Sequence, residues 1–230
     1  MATLPDRWNH MIPESIAATR RRQAGPPMTS EPTRDPVTDH LLTPRNAALV
    51  VIDYQPSQQA VTSMDRDLLT DNIVSVARLA MTFDLPVVLS TVNVAHGQKP
   101  TIPELKAVVS DSTEIDRTAI NAWEDIEFRR AVEAAGRRKL ILAAVWTEVC
   151  LTFPALDAMD DGFDVYPVVD AVGGTSPEAH RAGLERIVQA GGQPIGWVSL
   201  ACELQRDWAK VETVADVVDV VLTTRLLATA

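Results

Sequence analysis

Glycine is scarce in this sequence, with 10 residues among 230, and none lies between Gly25 and Gly97. The loop expected after the first strand, YQPSQQAVTSM, falls within this interval. A dinucleotide-binding fold needs glycines in that loop so that the backbone can approach the pyrophosphate. The sequence therefore argues against binding of NAD or FAD, and we expect no cofactor.

Cysteine and positive charge are also limited. The two cysteines, Cys150 and Cys202, do not make a disulfide framework, and a reducing cytoplasm suits an unpaired thiol. The net charge of −10 argues against nucleic acid or an anionic membrane surface as a partner. No apolar run reaches the roughly 18 residues of a membrane span, and the N-terminus lacks the apolar core of a signal peptide. We expect a soluble, cytoplasmic protein.

Apolar runs alternate with segments of helical periodicity five or six times, which predicts an α/β fold with a mostly parallel sheet. Strands are expected at residues 47–52, 85–91, 140–145, 163–169 and 194–198. Helices are expected around residues 69–80, 103–109, 128–135, 148–158 and 177–188, and ACELQRDW should open a further short helix. In the helix after Ser176, we expect Leu184, Ile187 and Val188 to face the core.

The two ends of the chain differ from its middle. Seven of the 15 prolines lie within residues 1–44, and such Pro-rich polar sequence buries too little apolar surface to fold alone. We interpret residues 1–44 as an arm, either loosely held or packed on a partner subunit, and residues 45–230 as the folded domain. The segment 211–230 is apolar for a terminal helix and needs cover from the domain or another subunit. Both ends lead us to expect a homo-oligomer.

A candidate nucleophile lies in the stretch from Lys139 to Ser176, whose pattern is strand, tight turn, helix and strand. Thr147 is a predicted helix N-cap, and Cys150 falls in the first turn of that helix. Free N–H groups and the helix dipole at this position are expected to lower the pKa of the thiol and to raise its nucleophilicity. A small buried side chain is the alternative interpretation of Cys150.

Asp53 directly follows the apolar run 47–52. A carboxylate at the end of a buried strand is unfavourable unless it is paired or used, and ligands of parallel sheets lie beyond the carboxyl ends of the strands. Asp53 is therefore a candidate site residue, with capping of a turn as the alternative.

Three separated motifs resemble one family. The segment AAVWTEVCLTFPALDAMDDGFDVYPVVDAVGGTS is similar to the nucleophile segment of the isochorismatase-like cysteine hydrolases, which include nicotinamidases and N-carbamoylsarcosine amidohydrolases. INAWED (120–125) and ACELQRDW (201–208) resemble a subgroup whose substrate is poorly defined. The similarity covers roughly residues 45–210 and implies a three-layer α/β/α sandwich with the Rossmann-like strand order 3-2-1-4-5-6.

The resemblance implies a mechanism for hydrolysis of a small amide-like substrate. Cys150 would attack the carbonyl carbon to form a thioester, and Asp53 would act as the base, because VIDYQ matches the segment that carries the family's catalytic Asp. Backbone N–H groups of Trp146 and Cys150 would form the oxyanion hole. The family also implies a cis peptide bond between Val145 and Trp146. The predicted substrate pocket comprises Asn121, Trp123 and Glu148.

The third catalytic position departs from the family. Most members have a Lys near this point, whereas this sequence has Arg117. Because a guanidinium stays charged in proteins, Arg117 can stabilise charge but cannot move protons, which leaves the acid–base roles to Asp53. Lys106 is a rival for this position, and an ordinary surface charge is the alternative interpretation of Arg117.

Several alternatives remain at this stage. Nicotinamidases hold a metal on an Asp-x-His pattern with a further His, whereas VNVAHGQKP offers His96 without a neighbouring carboxylate, so no metal is expected. Cys202 lacks a base motif and is interpreted as structural. His180 lacks a nearby Ser motif, which argues against a His-based triad.

A thiol-based redox enzyme and a non-catalytic oligomeric scaffold are the other functional hypotheses. No resolving cysteine adjoins Cys150, which argues against the redox enzyme.

Overall fold

The computed structural model describes residues 33–58 and 60–223, which form a parallel five-stranded sheet flanked by helices. The strand order is β3-β2-β1-β4-β5. The strand bounds are Ala47–Ile52 (β1), Val87–Val92 (β2), Glu114–Arg117 (β3), Lys139–Ala144 (β4) and Asp164–Pro167 (β5). This arrangement confirms the predicted α/β sandwich and the first five positions of the strand order.

Seven α-helices lie in the described part of the chain. Their bounds are Arg66–Thr82 (α1), Pro103–Val108 (α2), Ile126–Ala134 (α3), Thr152–Asp160 (α4), Pro177–Gln189 (α5), Trp197–Gln205 (α6) and Val214–Thr223 (α7). Short 3₁₀ turns lie at Val94–His96 and Ala122–Glu124, and a π-helical turn at Thr147–Leu151 joins β4 to α4. Within residues 33–58 and 60–223, no helix combines the length and apolar character needed to cross a bilayer.

The centre of the sheet is formed by β1 and β4, and all residues of both strands are buried. This explains why β1 and residues 140–144 of β4 are continuous apolar runs: helices cover both faces of a parallel sheet, so polar side chains are disfavoured on either face. The two strands pair in register, with Ile52 opposite Ala144. The residues that follow β1 and β4 therefore emerge side by side at one edge of the sheet.

The strand β3 was not assigned from the sequence. Its residues, EIDR, are mostly charged, and two of the four positions are only partly buried while Asp116 is exposed. A strand at the edge of a sheet pairs on one side only, so it can carry polar side chains that hide its pattern. β3 matters because its last residue is Arg117.

The strand predicted at residues 194–198 is present only in part. Ile195 forms a parallel bridge with Val168, its N–H donates to the carbonyl of Pro167 at 3.0 Å and its carbonyl accepts from the N–H of Val169 at 3.0 Å, whereas helix α6 already begins at Trp197. The carboxylate of Asp170 accepts a hydrogen bond from the backbone N–H of Trp197 at 2.9 Å, which satisfies a donor in the first turn and fixes the start of the helix. The motif ACELQRDW therefore supplies the end of α6 and does not open it.

Part of the predicted arm packs on the domain of its own chain. Leu42 is fully buried, and the Lys139 ammonium donates to the backbone carbonyls of Asp39, His40 and Leu41 at 2.9, 2.5 and 3.1 Å. Residues 1–32, with the candidate anchors Trp8, Met11, Ile12 and Ile16, lie outside the described residues. The boundary at residue 44 and the role of the arm stay predictions.

The apolar terminal segment finds cover within the same chain. Helix α7 packs against α1 and α6, and Val217 and Val220 are buried. One smaller expectation is wrong. Val188 is 50% exposed, because the inward face of α5 carries Gly183 and Ile187, and a residue one position further lies about 100° around the helix. Cys202, which the sequence led us to interpret as structural, lies exposed on α6.

Helix α5 approaches the π-helical turn very closely at Gly183. A Cβ atom at this position would lie 2.9 Å from the Cα of Glu148 and 2.9 Å from the Thr152 hydroxyl. Backbone cannot move aside as a flexible side chain can, so only glycine fits the contact. This close packing fixes the distance between α5 and the turn that carries Cys150.

We predict that Gly183→Ala destabilises the protein by about 1–3 kcal/mol, the range for overpacking a well-packed contact. The direction of the stability change is informative, because a Gly→Ala substitution in an open helix would raise stability by about 1 kcal/mol. Urea unfolding measures the difference. Ala182→Ser, at an exposed neighbouring position of α5, serves as the control and should change stability by less than about 0.5 kcal/mol. Equal stability of Gly183→Ala and the wild type would contradict the close contact.

Candidate active site

Three strands bring their carboxyl ends to one place, and each contributes a residue there. Asp53 follows β1, Arg117 ends β3 and Cys150 lies in the turn after β4. Arg117 Nη2 donates to Asp53 Oδ2 at 2.8 Å, and both side chains are fully buried. The interpretation of Arg117 as a surface charge is therefore wrong.

The backbone at Asp53 is held in an uncommon conformation. Its φ of 63° lies in the left-handed region, which few non-glycine residues adopt. The side chain of Gln55 fixes this turn, because it accepts from the N–H of Val92 at 2.9 Å and donates to the carbonyls of Val92 and Lys99 at 3.1 and 2.6 Å. The hydroxyl of buried Tyr54 also donates to the carbonyl of Ala171.

The Cys150 thiol is buried and faces the Asp53 carboxylate, to which it is placed to donate a hydrogen bond. The backbone N–H of Trp146 donates to the sulfur. The peptide bond between Val145 and Trp146 is cis, as expected from the resemblance.

The expectation that Thr147 caps the helix is wrong. Thr147 is the first residue of the π-helical turn, and its hydroxyl is hydrogen-bonded to Nδ1 of His180 on α5 at 2.8 Å. Its backbone N–H donates to the carbonyl of Gly173 at 3.0 Å. The local sequence predicts that the Thr147 side chain caps the helix, but this side chain is engaged in the contact with α5.

The predicted lowering of the Cys150 pKa is also wrong. Burial, together with the charge of Asp53 and the hydrogen bond to it, raises the pKa of the Cys150 thiol to about 12. The N–H of Trp146 and the charge of Arg117 oppose this rise in pKa without outweighing it. Burial also raises the pKa of Asp53, against the opposing effect of Arg117.

Two of the predicted pocket residues bind helix α4. The side-chain amide of Asn121 donates to Asp157 at 2.7 Å, and the indole N–H of Trp123 donates to Asp161 at 2.7 Å. Asp157 lies seven residues beyond Cys150, roughly 10 Å along a helix. These contacts hold the INAWED segment on α4 and on the residue that follows it, and they occupy both polar groups.

The third predicted pocket residue, Glu148, turns its carboxylate toward Thr175. Glu148 Oε1 accepts from the backbone N–H of Thr175 at 3.1 Å and from its hydroxyl at 2.5 Å. Lys106, the rival of Arg117, is likewise engaged elsewhere, because its ammonium donates to the carbonyl of Ser112 at 2.7 Å and lies 3.7 Å from Glu114.

His96 lies exposed in the loop after β2. The structure places one carboxylate beside this loop, since Asp116 accepts from the N–H groups of Val94 and Ala95 at 2.9 Å each. The sequence spacing could not show that neighbour. Among the described residues, no group of three or more His, Cys, Asp or Glu side chains is arranged to hold a metal ion.

Several residues that support the site were not predicted from the sequence. Tyr54 and Gln55 directly follow Asp53, and their position in the loop after a buried strand was the one sequence feature that could have indicated them. Thr175 and His180 gave no local signal, because their contacts with the nucleophile turn depend on how α5 packs.

A surface groove of about 400 Å³ runs along α5, and none of its lining residues belongs to the cluster of Asp53, Arg117 and Cys150.

Comparison with known proteins agrees with this geometry. Residues 47–199 match the isochorismatase domain family. The "Probable hydrolase YcaC" of Escherichia coli is 40% identical over 169 residues, which cover 73% of this chain and 81% of that protein. The structure of YcaC from Pseudomonas aeruginosa, which contains covalent acrylamide, superposes with a TM-score of 0.78 at 34% identity, over 84% of this chain and 96% of that one.

A second solved structure is that of YcaC from Escherichia coli, described as an octameric hydrolase of unknown specificity. It is 34% identical, has a TM-score of 0.71 and covers 82% of this chain and 98% of its own. The matched residues include both Asp53 and Cys150. The sequence match, the strand order and the structural likeness agree, and the chain therefore belongs to the isochorismatase family of hydrolases.

Proposed function

We propose that the protein is a cysteine-dependent hydrolase that cleaves the C–N bond of a small amide-like substrate through a thioester. One observation carries this proposal: a thiol, a carboxylate and a guanidinium lie together, buried, at the carboxyl ends of the strands β4, β1 and β3. A nucleophile within hydrogen-bond reach of a base, with the base held by a third group, is the arrangement that covalent catalysis requires.

In the first half-reaction, Cys150 Sγ attacks the carbonyl carbon while its proton moves to Asp53. The backbone N–H groups of Trp146 and Cys150 stabilise the oxyanion of the tetrahedral intermediate. Asp53 then protonates the leaving nitrogen, the C–N bond breaks and the amine departs. In the second half-reaction, water attacks the thioester, Asp53 accepts a proton from that water, and the proton returns to sulfur as the acid leaves.

The raised pKa of the thiol supports proton transfer during the attack. A thiol with a pKa of about 12 is almost wholly protonated at neutral pH, so it needs Asp53 to remove its proton as the S–C bond forms. Burial makes Asp53 a stronger base than an exposed carboxylate. Arg117 stays charged throughout and keeps Asp53 ionised and oriented. An unpaired nucleophilic thiol persists in a reducing compartment, and we propose the cytoplasm as its setting.

A panel of small amides, assayed for release of ammonia or amine, tests this function. We expect turnover of at least one amide and a covalent acyl group on Cys150 when the reaction is quenched and digested for mass spectrometry. Cys150→Ser should abolish both signals. Peroxide consumption without amide turnover would indicate the redox hypothesis, and equal, slow labelling of Cys150 and Cys202 would indicate the scaffold.

We predict that Asp53→Asn removes turnover but leaves Cys150 open to alkylation. The loss of turnover should be on the order of 10²–10⁴-fold, as for other general acid–base groups. Since the charge of Asp53 and its hydrogen bond both raise the pKa of Cys150, alkylation by iodoacetamide or acrylamide should extend to lower pH in the variant. Glu104→Gln, which alters an exposed carboxylate on α2, is the control and should match the wild type. An unchanged alkylation profile in Asp53→Asn would count against the contact.

We predict that Arg117→Lys keeps a large part of the activity, because a single donor bonds Asp53 and the charge is retained. Arg117→Ala should destabilise the fold by about 3–5 kcal/mol, since it leaves the carboxylate of Asp53 buried and unpaired. It should also slow alkylation of Cys150 at a fixed pH below 12, because the guanidinium favours the thiolate. Arg181→Ala, at an exposed position of α5, is the control. Wild-type stability and alkylation in Arg117→Ala would refute this role.

We also propose that the protein forms a homo-oligomer, as the octameric Escherichia coli relative does. Large apolar side chains are exposed at the first residue of the INAWED segment and directly after its last one, with Ile120 at 67% and Ile126 at 58% exposure. Sedimentation velocity at micromolar concentration should give a multiple of 25.1 kDa. A single species at the mass of one chain would contradict this assembly.

A further inference from the structure

The loop of residues 171–175 connects two parts of the active site. On one side it binds the loop that follows Asp53. The carbonyl of Gly174 accepts from the N–H of Thr62 at 3.2 Å, and the N–H of Gly174 donates to the hydroxyl of Ser63 at 2.8 Å. Thr62 adds a third bond, because its hydroxyl donates to the carbonyl of Thr175 at 2.7 Å.

On its other side, the same loop binds the turn that carries the nucleophile. The carbonyl of Gly173 accepts from the N–H of Thr147 at 3.0 Å. Glu148 Oε1 accepts both donors of Thr175, at 3.1 Å from the N–H and 2.5 Å from the hydroxyl. Among the described side chains of the π-helical turn, that of Glu148 alone forms hydrogen bonds with this loop. The turn and the loop are thus joined by one backbone bond and one carboxylate.

The surroundings leave the Glu148 carboxylate little freedom. Its second oxygen is buried, and it would lie 2.8 Å from a Cβ atom placed on Gly174. Its Cα is in close contact with Gly183 of α5. A titratable group of α5, His180, also interacts with this carboxylate: burial lowers the pKa of His180, and the charge of Glu148 opposes that lowering. A side chain held on several sides is a rigid link between the elements it joins.

We propose that Glu148 is a positioning residue for the nucleophile. Its carboxylate ties the turn of Cys150 to residues 173–175, and through them to the loop after Asp53, so that the thiol stays within reach of the Asp53 carboxylate. This assignment replaces the predicted role of Glu148 in a substrate pocket. The proposal rests on the proposed cysteine-hydrolase function, because that function is what makes the distance between Cys150 and Asp53 important.

Alkylation of Cys150 as a function of pH tests the link and requires no substrate. In Glu148→Ala, the thiol loses its fixed position beside Asp53, so the midpoint of the alkylation profile should move from about pH 12 toward the ordinary thiol value. Cys202, which is exposed, supplies an internal reference in the same digest. With any amide that the wild type turns over, kcat should fall on the order of 10- to 100-fold while KM changes little, as for a misplaced reacting group.

Two further variants separate positioning from charge and from folding. Glu148→Gln retains an acceptor oxygen for both donors of Thr175 and should restore the wild-type profile. Thr175→Val removes one of the two bonds from the opposite side and should shift the profile in the same direction as Glu148→Ala, by less. Should Glu148→Ala fail to fold, these two variants decide the question. Glu185→Gln, on the exposed side of α5, is the matched control and should behave as the wild type.

Three outcomes would overturn the proposal. They are an unshifted alkylation profile in both Glu148→Ala and Thr175→Val, equal losses in Glu148→Ala and Glu148→Gln, and a rise in KM alone, which would return Glu148 to the substrate pocket. Failure of the hydrolase function has a different signature, namely no amide turnover by the wild type or full turnover by Cys150→Ser. The alkylation profile of Glu148→Ala is informative in either case.

Discussion

The buried ion pair between Arg117 and Asp53 is the interaction on which the site depends. Each charge alone would be strongly disfavoured where no water reaches it, and removal of either partner leaves the other uncompensated. The pair therefore couples the end of β3 to the end of β1 across β2. The same carboxylate faces the thiol of Cys150, so one group balances a fixed positive charge on one side and shares a proton on the other.

The position of this pair follows from the packing of the sheet. β1 and β4 lie side by side and in register because both are apolar, apart from Lys139 at the start of β4, and can be covered by helices on both faces. The residues after these strands must then share a small volume. Asp53 turns there with a positive φ, and the π-helical turn presents Cys150 from the neighbouring strand. The strand order therefore places Asp53 and Cys150 together at this edge of the sheet.

The electrostatics of the thiol distinguish this arrangement from a preformed thiolate. The start of a helix favours an anion by a fraction of a kcal/mol to about 2 kcal/mol, whereas burial beside a carboxylate opposes one more strongly. The net result is a raised pKa of the Cys150 thiol, and in the proposed mechanism the proton of this thiol leaves as the substrate is attacked. Such a site limits adventitious oxidation, since the thiolate is the reactive form. It also makes the separation of Cys150 and Asp53 the quantity that the surrounding loops must hold.

The pattern of apolar residues by itself determined the α/β class, the central strands and the burial of α1. This is because apolar residues recur with a different period in a helix and in a strand that other layers cover. The motifs indicated Asp53, Arg117 and Cys150 as candidates. Tertiary structure alone decided their electrostatics: the thiol pKa was predicted with the wrong sign, since burial beside Asp53 involves residues about a hundred positions apart. The same reason explains Thr147 and Glu148, whose side chains bind His180 and Thr175, partners that α5 and the loop before it bring into place and that no local pattern encodes.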